Sequence, residues 1–275
     1  MILKDTKQLI KENDFFIKKK FGQNFLIDKN IIEKITKGSN ISKNDIVLEI
    51  GPGLGALTSY LSKKCKKLIC VEIDKTLIPI LKNKNFENVE IIEGDILDID
   101  ICSITNNQNI KVVANLPYYI STPIITKLLE MKNVSSITIM IQKEVADRLK
   151  AKKSTKEYGS LTVFVKYHSK VTFITNVSPD CFLPKPTVES TVLHFEREKK
   201  YFPDNEDFFY KVVRAGFSQR RKTLINSIFQ NNLGITKENV YMALKEMNFD
   251  ENIRGDNLDV EDYVLLSNKL FIYNL

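Results

Sequence analysis

The 275-residue sequence predicts an α/β fold, in which a mostly parallel β-sheet with an antiparallel edge is followed by a small all-α domain. Three observations predict it. Short apolar runs first alternate with helix-length segments. Apolar runs then follow one another closely, and from about Phe208 onward only helical periodicity remains.

"DIVLEI" is an apolar run that enters the turn Gly51-Pro52-Gly53-Leu54-Gly55-Ala56, after which Leu57, Tyr60 and Leu61 share a helical face. "LICVEID" is a second strand, followed by a helix around Lys75 to Asn83. "VEIIEGD" is a third and "KVVANLP" a fourth, while "SSITIMIQ" makes a fifth and leads into the helix "KEVADRLKAK". Helix-length connections between strands require crossovers and therefore a parallel sheet. "SLTVFVKYH", "KVTFITNV" and "STVLHFE" leave little room for helices between them and are expected to form the antiparallel edge. "FFYKVVRAGF", "TLINSIF", "NVYMALKEM" and "DYVLLSNKLF" are helices. No internal repeat is visible. The charged stretch Glu196 to Asp207, near Pro203, is expected to divide residues 1–200 from residues 201–275.

Composition narrows the function classes. The chain is 43% hydrophobic with ordinary Gly and Pro counts, which makes it globular. Its longest uncharged run, Val112 to Thr126, contains Asn115, Pro117 and Pro123 and is too short to span a bilayer. Lys4, Asp5, Lys7, Lys11 and Glu12 replace any apolar leader, and Cys65, Cys70, Cys102 and Cys181 make no CxxC pair, so a reduced cytoplasmic protein is expected. Two histidines, His168 and His194, cannot build a His-rich metal site, and no metal is expected. A net charge of +7 and a pI of about 9.0 favour an anionic partner. The abundance of Lys, Asn and Ile is equally what compositional bias would produce. Basic clusters stand at Lys18-Lys19-Lys20, Lys63 to Lys67, Lys150 to Lys153 and Arg220-Arg221-Lys222.

Gly51, Glu72, Asp95 and Asn115 each fall at the carboxyl end of a successive strand, where open parallel sheets bind ligands. The glycine turn allows close backbone approach, and Glu72 lies where an acid would hold ribose hydroxyls. Asp95 is placed to accept from an adenine amino group or to cap a helix. Together these residues indicate an adenosine-containing cofactor. The stretch "VVANLPYYIST" separates the candidates. A nucleobase amine is a poor nucleophile because its lone pair is delocalised. The Asn115 side-chain oxygen and the Leu116 carbonyl can accept its two N–H groups and free that lone pair, Pro117 stiffens the turn, and Tyr118 can stack on the base. This chemistry selects S-adenosylmethionine over a nicotinamide dinucleotide.

The segments "FGQNFL", "EIGPGLGALT", "VEID", "GD", "NLPYYIST", "YGSLTV", "FLPKPTVES" and "FSQRRKTL" span nearly the whole chain. In them the sequence resembles the small-subunit (16S) ribosomal RNA adenine N6-dimethyltransferases, the kasugamycin-resistance methylase family. The resemblance implies a Rossmann-like S-adenosylmethionine-dependent methyltransferase domain and a helical RNA-docking domain. It implies dimethylation of two adjacent adenines in small-subunit RNA during ribosome assembly, on a pre-assembled 30S particle and by a monomer. It places Asn24, Leu26, Gly51, Glu72, Asp95 and Asn115 on the cofactor, and it sets Phe182 opposite Tyr118 across the target adenine. The Arg220-Arg221-Lys222 run, expected on an amphipathic helix, would bind phosphates, and "KKKFGQN" would close over the ligands. Tyr119 stands where the family often has Asn. Two rivals share these motifs: a large-subunit (23S) RNA adenine methyltransferase conferring macrolide resistance, against which "FSQRRKTL" argues, and a mainly non-catalytic assembly factor, which the intact acids disfavour.

Overall fold

In the computed structural model of the protein, residues 2–13, 15–18 and 22–274 are described. Lys19 and Lys20 of the first basic run and Phe21 of "FGQNFL" lie outside them. The strands are β1 (Phe25–Leu26), β2 (Ile46–Ile50), β3 (Lys67–Glu72), β4 (Val89–Glu93), β5 (Ile110–Asn115), β6 (Val134–Gln142), β7 (Ser169–Val177), β8 (Phe182–Leu183) and β9 (Ser190–Arg197). The helices are α1 (Ile2–Glu12), α2 (Lys29–Gly38), α3 (Thr58–Leu61), α4 (Ile78–Lys82), α5 (Ile101–Ile104), α6 (Ser121–Glu130), α7 (Lys143–Lys150), α8 (Ser160–His168), α9 (Glu206–Phe217), α10 (Leu224–Phe229), α11 (Lys237–Glu246) and α12 (Val260–Phe271).

Seven strands form one sheet in the order β4-β3-β2-β5-β6-β9-β7, and β1 pairs separately with β8. β2 pairs in parallel with β3 and β5, β3 with β4, and β5 with β6; β9 runs antiparallel to β6. The expected parallel sheet with an antiparallel edge is therefore present. Central strands covered on both faces need continuous apolar runs, and Val47, Leu48, Val112 and Val113 are all buried. From β2 the chain winds outward to β3 and β4, then returns to β5 on the other side of β2. That reversal is the topological switch point, and it opens a crevice between the carboxyl ends of β2 and β5.

One expected strand is a helix. "SLTVFVKYH" reads as alternating apolar and polar, but it forms α8, with Thr162, Val163, Val165 and Tyr167 buried. Its β-branched and aromatic composition is overridden by packing: the Tyr167 ring lies 4.8 Å from that of Phe209 in α9, and Phe164 lies 5.7 Å from Tyr210. The start of α8 has a local cause, since the Thr162 hydroxyl accepts the Gly159 N–H at 3.2 Å.

The chain divides into two compact units, residues 1–146 with 170–197, and residues 147–169 with 198–275. The boundary expected near residue 200 lies beside the last of the chain's three passages between the units, after residue 197. The passage of residues 147–169 into the helical unit was not expected, and it follows α8. The core of that unit joins Tyr158, Val163 and Tyr167 to Phe208, Phe209, Leu244 and Tyr263. The Tyr158 hydroxyl donates to the Leu258 carbonyl at 3.0 Å.

Candidate active site

A cleft opens where β2, β3 and β5 end. Among the residues that line it are Asn24, Leu26, Gly51, Glu72, Asn115, Leu116, Pro117 and Tyr118. The parallel register explains the convergence: Ile50 is level with Val71 on one side and Ala114 on the other, so the next residues of all three strands meet at one end.

Gly51 and Gly53 hold φ of +67° and +58°, the left-handed region that side chains disfavour. A Cβ on Gly53 would stand 3.1 Å from the Phe25 ring, and one on Gly51 would meet only the Asn115 carbonyl, at 3.8 Å. Glu72 ties this turn to β3. Its Oε2 accepts the Gly53 N–H at 3.0 Å and its Oε1 accepts the Asp74 N–H at 2.9 Å. A carboxylate has about four lone-pair directions, so acceptor capacity remains for a further donor. Burial raises the Glu72 pKa above the usual carboxylate value, against the lowering effect of those backbone N–H groups.

β5 delivers Asn115 at its last residue. The Asn115 Nδ2 donates to the Asn24 carbonyl at 3.1 Å. A carbonyl only accepts, so this bond sets the amide's orientation and makes Oδ1 its acceptor atom. The Leu116 N–H is taken by the Met140 carbonyl at 3.1 Å. Pro117, with φ −57° and ψ 135°, holds the chain extended before the short turn Tyr118–Ile120. Tyr118 is half-buried, and its hydroxyl lies 2.9 Å from Ser190 Oγ, which fixes the ring while burial raises its pKa.

Residues 15–270 match the family described as ribosomal RNA adenine dimethylase. The chain belongs to this family. It is 44% identical to the ribosomal RNA small subunit methyltransferase A of Alkaliphilus oremlandii, over 97% of this chain and 96% of that one. The protein of the same name from Clostridioides difficile is also 44% identical, over 96% and 94%. Among solved structures, a dimethyladenosine transferase from Plasmodium falciparum superposes with a TM-score of 0.74 at 30% identity, covering 88% of this chain and 95% of that one. The 23S rRNA methyltransferase ErmE has the same fold, with a TM-score of 0.71 at 24% identity and coverage of 90% and 100%.

A methyltransferase of the ribosomal RNA adenine dimethylase family implies S-adenosylmethionine, and the residues present fit an adenosine-containing donor. The glycine turn leaves the backbone open at Gly51, and Glu72 keeps acceptor capacity on a buried carboxylate. Asp95 and Phe182 are not among the residues that line the cleft. Asp95 follows β4, and its Oδ1 accepts the Leu97 N–H at 2.9 Å, so it caps its own turn. Phe182 is 3% exposed and pairs with Leu26 across β1 and β8, within a core cluster. Stacking on a base would require its ring to become accessible.

Arg220, Arg221 and Lys222 are exposed, as a phosphate-binding group must be, but they lie in the turn between α9 and α10 and not on a helix. α9 ends at Phe217, and Thr223 caps α10 by accepting from the Asn226 N–H. Arg220 also donates to the Thr155 carbonyl at 2.9 Å. Sequence reasoning passed over Glu49 altogether. This acid sits within the apolar run "IVLEI", 1% exposed, and it lines the cleft. Burial pushes its pKa up to about 7, partly offset by contacts with Thr58 and Cys70. A charged residue inside a buried strand was the available signal.

Proposed function

We propose that this chain transfers methyl groups from S-adenosylmethionine to the N6 amines of two adjacent adenines in small-subunit (16S) ribosomal RNA, giving N6,N6-dimethyladenosines. The substrate is a pre-assembled 30S particle in the cytoplasm. Among the described residues no helix is long and apolar enough to cross a membrane. The relatives named for the small subunit favour this substrate over large-subunit RNA. The observation that carries the chemistry is the Asn115 amide, held by the Asn24 carbonyl so that its Oδ1 is an acceptor at the cleft.

S-adenosylmethionine supplies an activated methyl group on sulfur. Gly51 and Glu72 would hold the adenosine part, and Asn24 and Leu26 line the same cleft. Asn115 Oδ1 and the Leu116 carbonyl accept the two N–H groups of the adenine amine, which draws its nitrogen toward tetrahedral geometry and frees the lone pair. Tyr118, fixed through Ser190, stacks on the base. Because the methylated amine is acidic enough to lose its proton, these residues contribute chiefly positioning.

Under-methylated small subunits incubated with labelled S-adenosylmethionine should take label at adjacent adenines of the 16S RNA, read by mass mapping. In single turnovers at saturating cofactor, Asn115→Ala should lose about 10²–10³ in rate, the scale of deleting one transition-state hydrogen-bond partner. Label confined to large-subunit RNA would overturn the substrate. A normal rate in Asn115→Ala would overturn the mechanism.

A further inference from the structure

Two residues past Glu72, the chain places Asp74 with its side chain wholly buried. A buried carboxylate is tolerated only when its lone pairs are taken up. Here Thr76 contributes its N–H at 3.1 Å and its hydroxyl at 2.7 Å, both to Oδ1. Those two bonds alone would be an ordinary local turn. The remaining donors come from far along the chain. Lys18 Nζ reaches Oδ1 at 2.7 Å across 56 residues of sequence, and Gln23 Nε2 reaches Oδ2 at 2.7 Å across 51. Gln23 is committed at its other end, since its Oε1 accepts the Lys18 N–H at 2.8 Å. Gln23 lines the cleft, as do Gly22, Asn24, Phe25 and Leu26, and Asn24 in turn receives the Asn115 amide. The Asp74 N–H meanwhile orients Glu72.

We infer that Asp74 is a positioning residue whose carboxylate latches the wall formed by residues 22–26 over the cofactor cleft, through Gln23 and Lys18. The inference rests on the proposed assignment of this cleft to S-adenosylmethionine. Burial works to raise the Asp74 pKa, but the hydrogen bonds from Lys18, Thr76 and Gln23 outweigh it and hold the carboxyl below its ordinary value. The latch is therefore ionised throughout the neutral range. Charge-assisted bonds of this kind are the stronger class, so their loss should be felt at the wall they anchor.

An exchange of partners tests the latch. Asp74→Asn turns an amide nitrogen toward Gln23 Nε2, so two donors face each other. Gln23→Glu places two carboxylates together. The double variant restores one donor opposite one acceptor. In it the amide oxygen introduced at position 74 still serves Lys18 and Thr76, and the carboxylate introduced at position 23 still accepts from the Lys18 N–H. In the protein without cofactor, hydrogen exchange of the amides of residues 22–26 should accelerate about tenfold or more in each single variant and return to within about threefold of wild type in the double. The dissociation constant for S-adenosylmethionine should follow the same pattern, chiefly through faster dissociation.

Unchanged exchange in Asp74→Asn, or a double variant no better than the worse single one, would overturn the latch. If Asp74→Asn does not fold by itself, the comparison of Gln23→Glu with the double variant decides in the same way. If the variants show the exchange pattern but wild-type protein does not bind S-adenosylmethionine, the cofactor assignment is overturned and the latch stands.

Discussion

Glu49 shows how far one side chain departs from its solution chemistry when a strand carries it indoors. Its pKa of about 7, against 4.5 for an ordinary glutamate, has burial as its main cause. The sign follows from proton binding. Below about pH 4.5 both folded and unfolded forms are protonated and Glu49 is neutral to stability. Between there and about pH 7 the unfolded chain loses the proton while the folded one keeps it, so stability falls as pH rises, and above pH 7 the full penalty persists. The shift corresponds to about 3 kcal/mol. Glu49→Gln, without added cofactor, should therefore gain stability over wild type on going from pH 5 to pH 8, by up to about that amount. Urea unfolding at the two pH values measures it. A difference between the proteins that does not change with pH would refute this account. Motif spacing exposes Gly51, Glu72 and Asn115 because each sits where a strand stops. Glu49 escapes that logic because it sits within the strand, and its proximity to the cleft depends on the fold.

The turn after β4 is held from another element. Lys127 in α6 donates to the carbonyls of Ile96, Leu97 and Ile99 at 2.9, 2.8 and 2.8 Å. The same turn contains Asp95, which takes the Leu97 N–H on its side chain and the Ile99 N–H on its carbonyl. Lys127→Met should leave three carbonyls without their charged donor and cost about 1–3 kcal/mol of stability. Exchange of the Leu97 and Ile99 amides should quicken at the same time. Slow exchange retained in the variant would show that the turn holds itself. No helix was expected at α6, although Ile124, Ile125, Leu128 and Leu129 recur at helical spacing and are all buried. Pattern logic turned α8 into a strand, since alternation over nine residues cannot report the aromatic cluster that selects helix. By contrast, β2 to β6 were legible as apolar runs bounded by turns, because burial on both faces leaves few polar residues within them.

At the scale of the whole chain, a net charge of +7 becomes useful only where it is concentrated. Arg220, Arg221 and Lys222 stand exposed on a turn of the helical unit, a place from which phosphates are accessible. Replacing all three with Ala should weaken binding to the small subunit and flatten the dependence of affinity on salt, because fewer counterions are released. Cofactor affinity should stay near that of wild type. Filter binding across a salt series provides the measurement, and an unaltered slope would move the RNA surface elsewhere. Arg220 also bonds to Thr155 and lies 3.9 Å from Asp256, so melting of the triple variant should be compared with that of Arg221→Ala plus Lys222→Ala.

Sequence alone specified the parallel sheet, the strand ends that carry Gly51, Glu72 and Asn115, and the donor and acceptor types of Asn115-Leu116-Pro117-Tyr118. Each of these is encoded locally, in a run of apolar residues or in residue types set a βα unit apart. Tertiary structure decided the rest. It turned residues 160–168 into a helix of the second unit and buried Phe182 against β1. It also brought Glu49 to the cleft and joined Asp74 to Lys18 and Gln23. These outcomes depend on partners more than fifty residues apart or on packing between elements, which no local pattern records, whereas hydrophobic periodicity and turn chemistry act between neighbours.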